Sequence, residues 1–192
     1  YNFDAQQIIV EENGFGQYLL NSEIVYTIIV DGANRKWIGT LGSGLYLLSE
    51  NGTEEIYHFT SKNSPLISDN ILDLEINHNT GELFISSDKG LMSFRNDATT
   101  GRTNINSIEI FPNPVRENYY GVITIDGLAF ESNVKITDVS GNLVFETNSN
   151  GGTAVWNGKD ANNKRVGTGV YLVFSSDKYG DEKAVGKILF IH

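Results

Sequence analysis

One interval constrains this chain more than any other feature. Val25 and Ile71 open equivalent apolar runs, and Gly44 and Gly90 hold equivalent turns, in both cases 46 residues apart. In the first copy Val25, Ile28 and Val30 lead to the turn signal Asp31-Gly32. Lys36–Thr40 is the next strand, and Gly42-Ser43-Gly44 turns into Leu45–Leu48. Asn51-Gly52 then turns into Ile56–Phe59. In the second copy Ile71, Leu74 and Ile76 lead through Thr80-Gly81 to Leu83–Ile85, and Lys89-Gly90 turns into Leu91–Phe94. Gly, Asn and Asp punctuate runs of alternating apolar residues throughout, which is the local chemistry of hairpins. A four-strand unit recurring at this interval predicts β-propeller blades. About one and a half to two blades are present, and closure takes at least ~4. The expectation is a fragment of a larger propeller, or a half that packs in some unusual way. In residues 1–24, Gln7–Val10 reads as a strand, Asn13-Gly14 as a turn and Tyr18–Leu20 as a short apolar run, the end of a preceding repeat.

The periodicity stops after Asp97. Residues 98–106, a polar run, read as a linker between 1–97 and a different domain at 107–192. Ile108 and Ile110 alternate with Ser107 and Glu109, so Ser107–Phe111 is a strand with one buried face. Pro112 and Pro114 end it, since neither has an N–H to give a ladder. Further strands follow at Val122–Ile125, Val134–Thr137, Leu143–Phe145, Thr153–Trp156, Val170–Phe174 and Lys183–Ile191. Seven strands separated by turn signals predict an immunoglobulin-like β-sandwich. The fold class expected for the whole chain is therefore all-β: partial propeller blades, then a sandwich. Trp156 is the expected large core residue.

Charge narrows the partners. The net charge is −10, which argues against nucleic acid, because phosphate binding needs clustered Lys and Arg. It divides as −8 over residues 1–106 and −2 over 107–192, so an anionic partner would prefer the second half. With no cysteine, disulfides and thiolate metal sites are excluded. No apolar run reaches the ~18 residues of a membrane span. No signal peptide is evident, and position 1 is Tyr rather than Met, as in a processed chain or a fragment.

No residue constellation in the sequence supports catalysis, so the expectation is a protein that is not an enzyme and carries no cofactor or metal. His58, His78 and His192 lack metal-ligand spacing. Gly42-Ser43-Gly44 is not a nucleophile elbow, because Leu41 stands where that motif needs Gly. Gly39–Gly44 has the wrong order for a dinucleotide loop. Asp160–Asn163 offers oxygens but lacks the acid that closes a calcium loop. Trp37 and Tyr46 suit stacking on a sugar, yet their apolar neighbours favour burial. Lys159, Lys164, Arg165 and Lys178 are basic residues of the second half's loops. They read as a solvated surface, with an anionic glycan as the functional alternative.

Two families resemble parts of the chain. Asp31, Trp37–Thr40 and Gly44–Tyr46 resemble the blades of two-component-regulator propellers. The second copy is degenerate, with Leu83–Ser87 in place of Trp-Ile-Gly-Thr. Phe111-Pro112-Asn113-Pro114-Val115, the turn Asp138–Val144 with Gly141, the run Gly167–Val173 with Gly169 and Tyr171, and Gly186–Phe190 with Lys187 resemble the C-terminal sorting domain of type IX secretion. That resemblance implies a sorting signal resting on Pro112, Asn113, Pro114, Gly141, Gly169, Tyr171 and Lys187. It also implies export through the periplasm to an outer-membrane-associated cell surface in Bacteroidota-type bacteria. The two halves together resemble the surface components of that machinery, which have propellers followed by a retained sorting domain. The resemblance implies partners in the attachment complex, including the sortase, and anionic lipopolysaccharide, for which Lys159, Lys164 and Arg165 are the candidate contacts. The alternative is a secreted cargo or glycan-sensing propeller whose tail is only an address.

Overall fold

Short apolar runs bounded by Gly and Asn turns give strands, and every regular element among the described residues is a strand. The computed structural model describes residues 7–12, 15–102, 107–177, 179–180 and 183–191. The turn expected at Asn13-Gly14, the last part of the expected linker (103–106), Lys178 and His192 lie outside the described residues. The chain forms two units, Tyr1–Asn96 and Asp97–His192.

In the first unit β1 (Ile9–Glu12) and β2 (Phe15–Tyr18) form an antiparallel hairpin. β3 (Val25–Val30), β4 (Lys36–Thr40), β5 (Leu45–Leu48) and β6 (Glu55–Phe59) then build a four-stranded antiparallel sheet in chain order. β7 (Ile71–Asn77), β8 (Glu82–Ser87) and β9 (Gly90–Arg95) build a second sheet of three. These are the two blades of the repeat. The alternation of each strand turns one set of side chains inward. Trp37, Leu45 and Leu47 meet Ile71, Leu74, Ile76, Leu83 and Ile85 in one apolar layer between the blades. Trp37 is fully buried, stacked with Phe59 at 6.2 Å and edge-on to Phe94 at 5.8 Å between centroids. Gly39 is small because the blades close on it: a Cβ there would lie 2.6 Å from both Ile71 and Thr27.

A buried polar network ties the β3–β4 turn to the residue after β9. Asp31 Oδ1 accepts from the Ala33 and Arg35 amides, and Oδ2 from Arg35 Nε at 2.8 Å and Asn96 Nδ2 at 2.9 Å. Arg35 Nη2 also donates to Asn96 Oδ1 at 2.8 Å. All three residues are buried.

The second blade differs from the expected four-strand unit. The counterpart of β6 would fall 46 residues on, at 101–105; of these only 101 and 102 are described, and they belong to the second unit. Residues 97–102, the end of the first expected domain and the start of the expected linker, are docked on the second unit instead. Thr99 and Arg102 form parallel bridges with Gly151 and Ala129, and Ala98 and Thr99 are buried. Thr99 Oγ1 also bonds Asp126 and Thr153, so a polar sequence is satisfied inside a fold.

The second unit is a two-sheet sandwich. β10 (Glu109–Phe111), β12 (Ile123–Asp126) and β15 (Thr153–Trp156) form one sheet, in the order β10-β12-β15. The other has the order β11-β17-β16-β13-β14, from β11 (Val115–Arg116), β13 (Asn133–Thr137), β14 (Leu143–Asn148), β16 (Gly169–Ser176) and β17 (Lys183–Ile191). There are eight strands among the described residues, one more than expected. The addition is β11, two residues long and parallel to β17. Ile123, Ile125 and Trp156 from one sheet pack on Val134, Ile136, Val173, Ile188 and Phe190 from the other. Trp156 is buried as expected, and its Nε1 donates to the Lys159 carbonyl at 2.7 Å.

Candidate functional site

The prolines of Phe111–Val115 make a corner. β10 lies in the three-stranded sheet and β11 in the five-stranded one, so the chain changes sheets across Pro112, Asn113 and Pro114. Both X–Pro bonds are cis. Proline has no amide hydrogen, so a side chain does the pairing there. Asn113 Nδ2 donates to the Lys187 carbonyl at 2.8 Å, and its Oδ1 accepts from the Leu189 amide at 3.0 Å. A side-chain amide has a donor and an acceptor, as a peptide group does. Asn113 therefore takes a strand's place beside β17. Val115 and Arg116 continue the pairing with Phe190 and Ile191.

Other residues of the expected signal gather around the same strand. Gly169 is paired with Phe190 at the start of β16, and Lys187 with Leu172. The Lys187 side chain is exposed, so its tie to the corner is through its carbonyl. Tyr171 lays its ring edge-on to Trp156 and Phe190, at 5.9 and 5.3 Å, and its hydroxyl donates to the Gly167 carbonyl. Burial raises the Tyr171 pKa, with a smaller push from the charge of Asp138.

Gly141 stands apart from the corner, in the β13–β14 turn. Its φ is +85°, where a Cβ is strained, so glycine suits it. Asp138 holds this turn: its Oδ1 accepts from the Ser140 and Asn142 amides, and its Oδ2 from Asn142 Nδ2. The Asn142 side chain and the turn amides hold the Asp138 carboxyl below its ordinary value. A lowered folded pKa means that the ionised form supports the fold. That support is complete above the ordinary carboxylate pKa and disappears as pH falls through the lower folded value. The melting difference between the parent and Asp138→Ala should be full near about pH 6 and shrink below about pH 4. Thermal melts across that range check it, and a constant difference would remove the charge from the account.

The loop with Lys159, Lys164 and Arg165 is closed by an Asp160 turn and a bridge between Lys159 and Arg165. Its three cations are not equivalent. Lys164 is exposed and Lys159 half-buried. Arg165 turns inward: Nη2 donates to the Tyr119 carbonyl at 2.7 Å, and the guanidinium lies 4.9 Å from the Tyr120 ring centre and 5.8 Å from that of Phe190. The solvated-surface reading and its anionic-glycan alternative both leave this cation facing outward, whereas the structure uses it to brace the rim of the core. Lysine-rich polar spacing carries no signal of that role. Asp160 Oδ1 is taken up by the Asn162 and Lys164 amides.

In the first unit Trp37 and Tyr46 are both buried. Burial, with Glu23 and Glu55 adding to it, pushes the Tyr46 hydroxyl up to about 12. His58 stacks on Tyr46 at 3.9 Å, and its Nε2 meets the Ser43 carbonyl. These side chains are used within the blade.

The corner, the Asp138 turn and all of β17 but Ile191 lie within a segment, residues 109–190, that matches the family described as "Secretion system C-terminal sorting domain". Residues 109–190 are a C-terminal sorting domain. The corner at Asn113 thus belongs to the sorting domain, and so does every residue predicted for the signal. The whole chain is similar to PorZ, described as an essential surface component of the type-IX secretion system of Porphyromonas gingivalis. The two share 36% identity over 97% of this chain and 25% of that one, with a TM-score of 0.64. This chain therefore spans about a quarter of the length of that relative. Dimeric latent PorU from the same organism is more distant, at 20% identity over 57% of this chain and 12% of that one, with a TM-score of 0.36. An extracellular domain of a one component system from B. thetaiotaomicron covers 92% of this chain with 26% of its own, at 10% identity and a TM-score of 0.33. No curated protein sequence matches the chain.

Proposed function

We propose that this chain is part of a non-enzymatic, outer-membrane-associated surface component of type IX secretion, which supports cargo maturation and attachment together with the sortase. The observation that carries the reading is continuity: the similarity to PorZ runs through the blades and the sorting domain alike, over 97% of this chain. A cargo protein would need only the sorting domain in common. On this reading the sorting domain is retained in the mature protein. Anionic lipopolysaccharide is the proposed ligand of the Lys159–Arg165 loop, through Lys164 and Lys159, because Arg165 is engaged with Tyr119. Contacts between exposed charges are worth about 1 kcal/mol or less each, so the binding is salt-sensitive and needs several of them.

One experiment covers these points. The protein is produced in a type IX-secreting bacterium, recovered from the cell surface and weighed by mass spectrometry. Intact protein that includes residues 107–192 is expected, and deletion of 183–191 is expected to abolish surface display. Lipopolysaccharide co-purifying with the parent should fall in a Lys159→Ala, Lys164→Ala variant of unchanged melting temperature. A mature protein without the tail makes it cargo, and undiminished display after the deletion removes the sorting reading. Unchanged lipopolysaccharide leaves the loop a solvated surface.

A further inference from the structure

The family match begins at residue 109, yet the unit that contains it begins at Asp97. Residues 97–102 lie ahead of the match and are held by two loops of the sandwich, one after β12 and one before β15. The Gly152 amide donates to the Thr99 carbonyl and the Arg102 amide to the Leu128 carbonyl, both at 2.8 Å. Asn150 Nδ2 donates to Asp97 Oδ2 at 2.8 Å. Thr99 Oγ1 donates to Asp126 Oδ1 at 3.3 Å and also meets Thr153 Oγ1. Ala98 is fully buried.

The fit is close at the level of the backbone. A Cβ on Gly101 would lie 2.6 Å from the Phe130 nitrogen, and one on Gly152 would lie 2.5 Å from the Thr100 carbonyl oxygen. Glycine on each side lets the two chains approach this far. Contacts to the sandwich thus run from Asp97 to Arg102. Fixing the backbone of a segment costs conformational entropy, and a linker that only connects would keep that entropy.

We propose that residues 97–102 are a strap, which joins the upstream chain to the sorting domain by folding as well as by covalent continuity. An endopeptidase needs several residues of free, extended backbone in its cleft. Residues 97–102 offer none until the strap lifts, so cleavage there follows the small population of the lifted state. A cut beyond the strap leaves the upstream chain seated on the sandwich. The strap stands on its own contacts. Its use, keeping the sorting domain on the mature protein, rests on the retention proposed above.

The test uses the 192-residue chain with the recognition sequence of a site-specific protease, flanked by glycine and serine, inserted between Asn104 and Ile105. After cleavage the two pieces are expected in one size-exclusion peak at about 10 μM, which requires a Kd of about that size or lower. Two variants act on the strap alone. Gly101→Val drives a side chain into the Phe130 backbone, and Thr99→Asp sets a second carboxylate against Asp126. Each should weaken the cut complex at least about tenfold, while the amides of β13 and β16 exchange as slowly as in the parent. In the uncut parent the Gly152 and Arg102 amides should exchange at least about a hundredfold more slowly than in an unstructured peptide. Three results would overturn the strap: parent pieces that separate once cut, variants that hold as tightly as the parent, or fast exchange at those two amides. Separated pieces would leave retention to the peptide bonds alone, whereas a tail-less mature protein bears on retention and not on the strap.

Discussion

Phe190→Ala is expected to destabilise the sorting domain by about 3–5 kcal/mol, the usual cost of removing a buried aromatic ring. Phe190 is fully buried on β17 and sits edge-on to both Trp156 and Tyr171, at 5.4 and 5.3 Å. Its backbone is paired on both sides, with Val115 of β11 and Gly169 of β16. The Arg165 guanidinium leans toward the same ring. Losing the ring opens a void under three aromatic or cationic neighbours at once, which places the loss toward the upper end of that range. Trp156 is the chain's second tryptophan and lies in this core, so denaturant unfolding in a Trp37→Phe background reports on it. Phe190→Leu should recover part of the loss. A change under about 1 kcal/mol would mean that the core closes around the gap.

Arg35→Ala is expected to cost the first unit a similar amount, about 3–5 kcal/mol, by a different route. Asp31 is only 4% exposed. Removal of Arg35 leaves its carboxylate buried, with backbone amides and Asn96 as its remaining partners. Arg35→Lys should rescue little. The arginine bonds Asp31 through Nε and Asn96 through Nη2, and a single ammonium cannot span both. The double change Asp31→Asn, Arg35→Met removes both charges and should be milder than Arg35→Ala alone. Denaturant midpoints of the four proteins give the comparison. If the single and double variants lose the same amount, buried charge is not the cause.

Most of the strands were legible because their causes are local. Apolar alternation places β3 to β9 within a residue or two, and Gly42, Gly44, Asn51 and Gly52 mark the hairpins between them. The sheet-switching corner was only half legible. Pro112 and Pro114 announce that a ladder stops, but not that Asn113 continues it with its side chain on a strand more than seventy residues away. β11 escaped because two residues carry no period. Residues 98–102 looked like part of a linker because Thr99, Thr100 and Gly101 are polar or small, and the partners that bury Thr99 come from Asp126 and Thr153. Arg165 looked like a surface cation for the same reason. Its contacts with Tyr119, Tyr120 and Phe190 come from two other parts of the chain and leave no mark near position 165.

The place of β17 sets an order of events. It is the last strand of the sorting domain in sequence, yet it lies inside its sheet, between β11 and β16. A chain that emerges from the ribosome amino end first can assemble β10, β12 and β15 early. The other sheet must keep a gap, with β11 and the Asn113 amide unmatched, until residues 183–191 arrive. Non-local pairing of this kind is the slow part of β folding. The five-stranded sheet thus stays unfinished until its latest-made strand arrives, and the two-sheet core closes only then.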